Sequence, residues 1–132
     1  MTEQHTALAD TTVTAEKTAV AMGSGDLPVF ATPAMVALME EAAARCAQSF
    51  LAEGETTVGV KISTSHIKAS PLGAAITAKA TLQEQAGKSF LFLVEAFEGD
   101  VLIGSGEHTR VVVNGESRRP SGLRKTTNPD NS

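Results

Sequence analysis

Two side chains in this sequence are well suited to moving a proton, Glu40 and His66, and the segments that carry them decide whether they can meet. A carboxylate and an imidazole that reach one substrate atom can take up and return a proton near neutral pH, or the carboxylate can attack an electrophile directly. Glu40 lies in Phe30-Ala31-Thr32-Pro33-Ala34-Met35-Val36-Ala37-Leu38-Met39-Glu40-Glu41, and His66 closes Gly59-Val60-Lys61-Ile62-Ser63-Thr64-Ser65-His66. The first run has helical spacing and the second alternates, so the pair would meet where a helix packs on a sheet.

Helical phase separates the two adjacent glutamates. Measured from the stripe formed by Met35, Met39, Ala42, Cys46 and Phe50, Glu40 falls about 110 degrees to one side and Glu41 about 150 degrees to the other. Glu41 is expected in water. Glu40 is flanked by Val36, Ala43, Ala44 and Ala47, small side chains that let a neighbouring helix or subunit approach and partly desolvate the carboxylate. It is then either a base or nucleophile, or an ordinary border glutamate paired with a cation. His66 shares a strand face with Val58, Val60, Ile62 and Thr64 and is expected on the buried side, with Gly59, Lys61, Ser63 and Ser65 on the other. The alternative for His66 is a hydrogen-bonded core histidine. His108, mid-strand in Gly106-Glu107-His108-Thr109-Arg110, is the weakest histidine candidate.

Thr32 reads as the N-cap of the helix, with Pro33 at its first position. The eight residues from Thr32 to Glu40 rise about 12 Å if all are helical. Thr32 therefore joins Glu40 only if its loop folds back or if the site is shared across a dimer. The histidines show no HxxxH or Cys-His spacing, so no metal is expected. No Gly-x-Ser-x-Gly elbow occurs, and the Gly-x-Gly pairs lack the context of a dinucleotide or phosphate loop.

The elements that must position these residues follow from pattern. Residues 11–21 are rich in β-branched residues and are expected to form a first strand, followed by a loop from Met22 to Pro28. The helix runs from Thr32 until Glu53-Gly54 stops it. Strands are expected over 58–66, 74–85, 89–97 and 101–113; the fourth, SFLFLVEAF, is apolar on both faces, as suits a central strand. Gly104 and Gly106 mark a bulge or a close backbone approach. One strand, a long helix and four consecutive strands imply an α+β fold, a helix laid on an antiparallel sheet. The reading is one domain over 1–132 with a core of about 11–114, and flexible tails at 1–10 and 115–132.

Composition narrows the function. The 132 residues carry 11 Lys plus Arg against 15 Asp plus Glu, a formal charge of -4, and neither Trp nor Tyr, which argues against nucleic acid as a partner. Cys46 is the only cysteine and sits on the apolar helix stripe, so it packs as a small hydrophobe and no disulfide framework exists. The polar start and the lack of a long apolar run predict no membrane contact and a cytoplasmic location.

The order of elements, together with ATPAMVALMEEAA, GVKISTSH, SPLG and IGSGEHTR, resembles the hotdog-fold acyl-CoA thioesterases, specifically the fluoroacetyl-CoA thioesterase group, over residues 13 to 113. The resemblance implies a catalytic set of Thr32, Glu40 and His66, and places Phe30, Gly59 and Arg110 on the substrate side. It implies an acyl-CoA substrate, no cofactor, and a homodimer or a pair of dimers. Hydration or dehydration of acyl thioesters and non-catalytic acyl-CoA binding are the alternatives on the same fold. One departure stands out: the group has phenylalanines forming a lid before its Phe-Ala-Thr segment, where this chain has Met22-Gly23-Ser24-Gly25-Asp26-Leu27-Pro28.

Overall fold

The computed structural model describes residues 5–115. Strand β1 spans Thr6–Thr12; a 3-10 turn at Ala15–Lys17 and a short helix α1 at Ala19–Met22 lead to the long helix α2, Thr32–Gln48. Strands β2 (Glu55–His66), β3 (Ala75–Ala86), β4 (Ser89–Glu98) and β5 (Val101–Asn114) follow. The sheet order is β1-β3-β4-β5-β2, antiparallel throughout. This is the expected single long helix on a five-stranded antiparallel sheet. Among the described residues no helix is long and apolar enough to cross a membrane.

Helix α2 forms because its apolar residues recur at three- and four-residue steps: Met35, Leu38, Met39, Ala42, Ala43, Cys46 and Ala47 are all buried. They meet Phe90, Phe92, Val94 and Ala96 from β4 and Ile76, Ala78 and Ala80 from β3 in one core. β4 is the middle strand, as its two-sided apolar sequence predicted. The helix ends at Gln48, short of the expected Glu53-Gly54 stop. Phe50 and Leu51 donate to carbonyls three residues back, tightening the last turn, and Phe50 folds inward to ring contacts with His5 and Phe90.

The first strand is displaced from its expected position. Residues 6–12 pair with β3, although 1–10 were expected to be a flexible tail, and residues 15–17 and 19–22 are helical. Only Ala9 of β1 is buried, so the strand is held by its backbone ladder, which composition does not reveal. Downstream, Thr18 donates to the Ala15 carbonyl and accepts from the Ala21 amide, so its hydroxyl caps a helix where its branching suggested a strand. The 115–132 tail lies outside the described residues apart from Gly115.

The register of β2 against β5 skips Val60. This bulge reverses the side-chain phase, so the expected grouping of Val58 and Val60 with Ile62 does not hold. Val58 and Val60 are 44% and 58% exposed, while Thr57 and Gly59 join Ile62, Thr64 and His66 on the helix side. On β5 the close approach expected at Gly104 is present: a Cβ there would lie 2.5 Å from Met35 Sδ, so the bare backbone lets α2 sit directly on the sheet.

Candidate active site

Thr32 is the first residue of α2, and Ala31 is the cap. The cap assignment for Thr32 is corrected: its hydroxyl lies 2.7 Å from His66 Nδ1. The chain before the helix is pinned by Phe30 N donating to Ser70 O and Ala31 N donating to Lys17 O, at 2.8 and 2.9 Å. His66 ends β2, and the amides of Ile67 and Lys68 after it both donate to the Ile103 carbonyl. Phe30, fully buried, stands edge-on behind the imidazole with ring centroids 6.3 Å apart. Ser24, Phe30, Thr32, His66 and Lys68 line one cleft.

His66 Nε2 is buried and has no hydrogen-bond partner within the chain. Burial lowers the His66 pKa below its ordinary 6.5, opposed by the Lys68 backbone, which is close enough to favour the charged ring without completing a bond. The neutral imidazole is therefore favoured, with one nitrogen committed to Thr32 and the other uncommitted.

Glu40 occupies a second cleft with Ala37, Ala44, Thr57, Gly59 and Arg110. A Cβ on Gly59 would come within 2.9 Å of Glu40 Oε2, 2.9 Å of His108 Cε1 and 3.3 Å of Arg110 Nη1, so only glycine admits this convergence. Arg110 is buried; Nε donates to Thr57 Oγ1 at 2.8 Å, Nη2 to Thr57 O at 3.0 Å, and Nη1 to His108 Nε2 at 3.2 Å. Burial lowers the Arg110 pKa, and Glu40 opposes the shift. Glu41 is exposed as expected and pairs with Arg45 one turn on.

One chain thus assembles Thr32 with His66, and Glu40 with Gly59 and Arg110, but keeps the two groups apart. Thr32 is helical, so the fold-back option fails, and about 12 Å of helix rise separates it from Glu40. His108 is the residue that sequence reasoning passed over. It is buried, and it shares a strand face with Arg110 two residues on; a polar pair at that step, on the face that also carries Gly104 and Gly106, was the available signal. Cys46 is buried with its Sγ 3.5 Å from the His5 carbonyl, and burial raises its thiol pKa, so it packs rather than reacts. No group of three metal-binding side chains occurs among the described residues.

Solved structures share this framework. A Thermus thermophilus hypothetical protein of the thioesterase superfamily is 30% identical with a TM-score of 0.80, covering 88% of this chain and 86% of its own. The fold is that of the hotdog thioesterases. Within that class, the fluoroacetyl-CoA-specific thioesterase family model matches residues 13–116. The fluoroacetyl-CoA thioesterase of Streptantibioticus cattleyicolor is 38% identical over 98 residues, 74% of this chain and 70% of that protein. A structure of the fluoroacetyl-CoA thioesterase FlK has a TM-score of 0.80 at 32% identity, covering 89% of this chain and 91% of that one. The chain belongs to the fluoroacetyl-CoA-specific thioesterase family, and it is an acyl-CoA thioester hydrolase.

Proposed function

We propose that the enzyme works as a homodimer whose sites each combine Thr32 and His66 of one protomer with Glu40, Gly59 and Arg110 of its partner, hydrolysing short or medium acyl-CoA thioesters. The observation that carries this reading is the division of the site along β2. That strand is at the sheet edge, with Gly59 just before its midpoint and His66 at its end. Antiparallel pairing of two β2 edges about Ile62 and Ser63 would bring Gly59 of one copy close to His66 of the other. The uncommitted His66 Nε2 would then face a carboxylate or a bound thioester.

In this arrangement Glu40 acts as nucleophile or as general base for water. His66 polarises the thioester or returns a proton to the leaving thiolate. Thr32 holds the imidazole in orientation, and a backbone N–H at Gly59 stabilises the developing oxyanion.

Substrate choice follows from the segment before α2. No aromatic residue lies between Ala19 and Val29, Leu27 is 63% exposed, and Phe30 is buried behind His66, where it cannot close over an acyl group. The acyl pocket is therefore open, without the desolvating cover that would favour a fluorinated two-carbon acyl group. Thiol release from acetyl-, fluoroacetyl-, butyryl- and longer acyl-CoAs tests this. Butyryl-CoA is expected to have a kcat/KM at least equal to that of fluoroacetyl-CoA; an exclusive preference for fluoroacetyl-CoA refutes the open pocket, and no thiol release from any of them refutes the hydrolytic reading.

A further inference from the structure

His108 is the most deeply buried polar side chain in the cluster around Gly59 and Glu40. Its ring is 1% exposed, with Nδ1 2.8 Å from the Lys61 carbonyl and Nε2 3.2 Å from Arg110 Nη1. A guanidinium nitrogen can only donate, so His108 Nε2 accepts and the Nδ1 hydrogen goes to Lys61. One neutral tautomer satisfies both contacts. Burial lowers the His108 pKa; the Lys61 backbone opposes this, Arg110 adds to it and Glu40 opposes it, so the net direction agrees with the hydrogen bonds. His108 is a fixed acceptor and not a proton carrier.

What it fixes is Arg110, three of whose five N–H donors are taken by Thr57 Oγ1, Thr57 O and His108 Nε2. Glu40 Oε2 and Arg110 Nη1 lie 2.9 and 3.3 Å from one point above Gly59, yet they form no ion pair. From β5 the charged or titratable groups here are Arg110 and His108; β2 contributes the uncharged Thr57 and Gly59. A long arginine side chain beside a carboxylate would swing to pair with it unless its guanidinium were already held by other partners. The geometry points to His108 as a positioning residue that, with Thr57, holds Arg110 away from Glu40 and so leaves the carboxylate free to react. This rests on the proposed role of Glu40.

Two substitutions separate the contacts of His108. Glutamine carries its side-chain oxygen near the Nε2 position and can still accept from Arg110, whereas asparagine reaches only the Lys61 carbonyl. Steady-state kinetics on the full-length enzyme with its best acyl-CoA should show His108→Asn losing about tenfold or more in kcat with KM within about twofold, and His108→Gln within about threefold of wild type in kcat. Thr57→Val, which removes the acceptor for Arg110 Nε, should lower kcat in the same sense, and it decides the matter if His108→Asn melts below the assay temperature by circular dichroism. Equal losses in the Asn and Gln variants would assign His108 to packing alone and overturn the inference. So would wild-type kcat in folded His108→Asn, or in Thr57→Val where that variant decides. Glu40→Gln is assayed alongside: if it stays fully active, the role of Glu40 fails and this inference with it, whereas an inactive Glu40→Gln beside an unaffected His108→Asn overturns the His108 role alone.

Discussion

Thr32 Oγ1 and His66 Nδ1 are joined at 2.7 Å across the junction of α2 and β2, and Thr32 has no capping duty that competes with this contact. The bond can be removed without unsettling the helix. Thr32→Ala should lower kcat by about tenfold, the size of one hydrogen bond that orients a reacting group, and Thr32→Ser should retain most activity. Thermal melts of both should match wild type within a few degrees. A Thr32→Ala enzyme with full turnover would remove Thr32 from the site.

The neighbouring glutamates offer an internal control. Glu40→Gln should cost at least about a hundredfold in kcat, as for loss of a general base or nucleophile. Glu41→Gln breaks only an exposed pair with Arg45 and should leave both turnover and stability nearly unchanged. Similar activity in the two variants would exclude a carboxylate mechanism at Glu40.

A site shared between copies predicts complementation. Glu40→Gln and His66→Ala homodimers should each be nearly inactive. After joint refolding or subunit exchange, the hybrid dimer contains one site with both residues intact. Random reassortment should then restore about a quarter of wild-type activity. Absence of any recovery, with hybrids confirmed by differential tagging and mass spectrometry, would show that each site is built within one chain.

Two buried histidines make stability depend on pH. His66 and His108 both have folded-state pKa values below the ordinary 6.5, so the unfolded chain binds more protons at mildly acid pH. Their contribution is fully present above about pH 6.5 and is lost as pH falls from there toward the folded values. Melting temperature should therefore be flat between about pH 7 and 8 and decline below about 6.5, before carboxylates titrate. His108→Gln should flatten part of that decline. A melting temperature that rises from pH 7 to 5.5 would contradict the sign.

Long, strongly periodic elements were legible from sequence. The apolar steps of α2 and the two-sided run of β4 identify themselves, since burial imposes those patterns directly. Two kinds of feature were not. β1 is an edge strand with one buried alanine, and backbone pairing leaves no side-chain signature. Thr18 and Thr32 are β-branched residues whose hydroxyls serve local or tertiary bonds, so residue type pointed to a strand in one case and to a cap in the other. Of the site residues, Thr32 and His66 come together, and Glu40 with Gly59 and Arg110. The phase assumed for Gly59 was wrong because no sequence rule announces a bulge. His108 was overlooked because a polar residue in mid-strand reads as solvent-facing until its neighbours are known.

The bulge at Val60 has a consequence for tolerance to insertion and deletion. Gly59 and His66 are an odd number of residues apart, and in an unbroken strand an odd separation sends them to opposite faces. The skipped residue converts that odd count to an even one. What Val60 supplies is therefore length, not a side chain, and its replacement by another β-branched residue should be harmless. Removing it outright would leave Gly59 and His66 an even number of residues apart in an unbroken ladder, so Gly59 and Thr57 would stay on the helix side and the cleft should survive the deletion, at the cost of a strand one residue shorter.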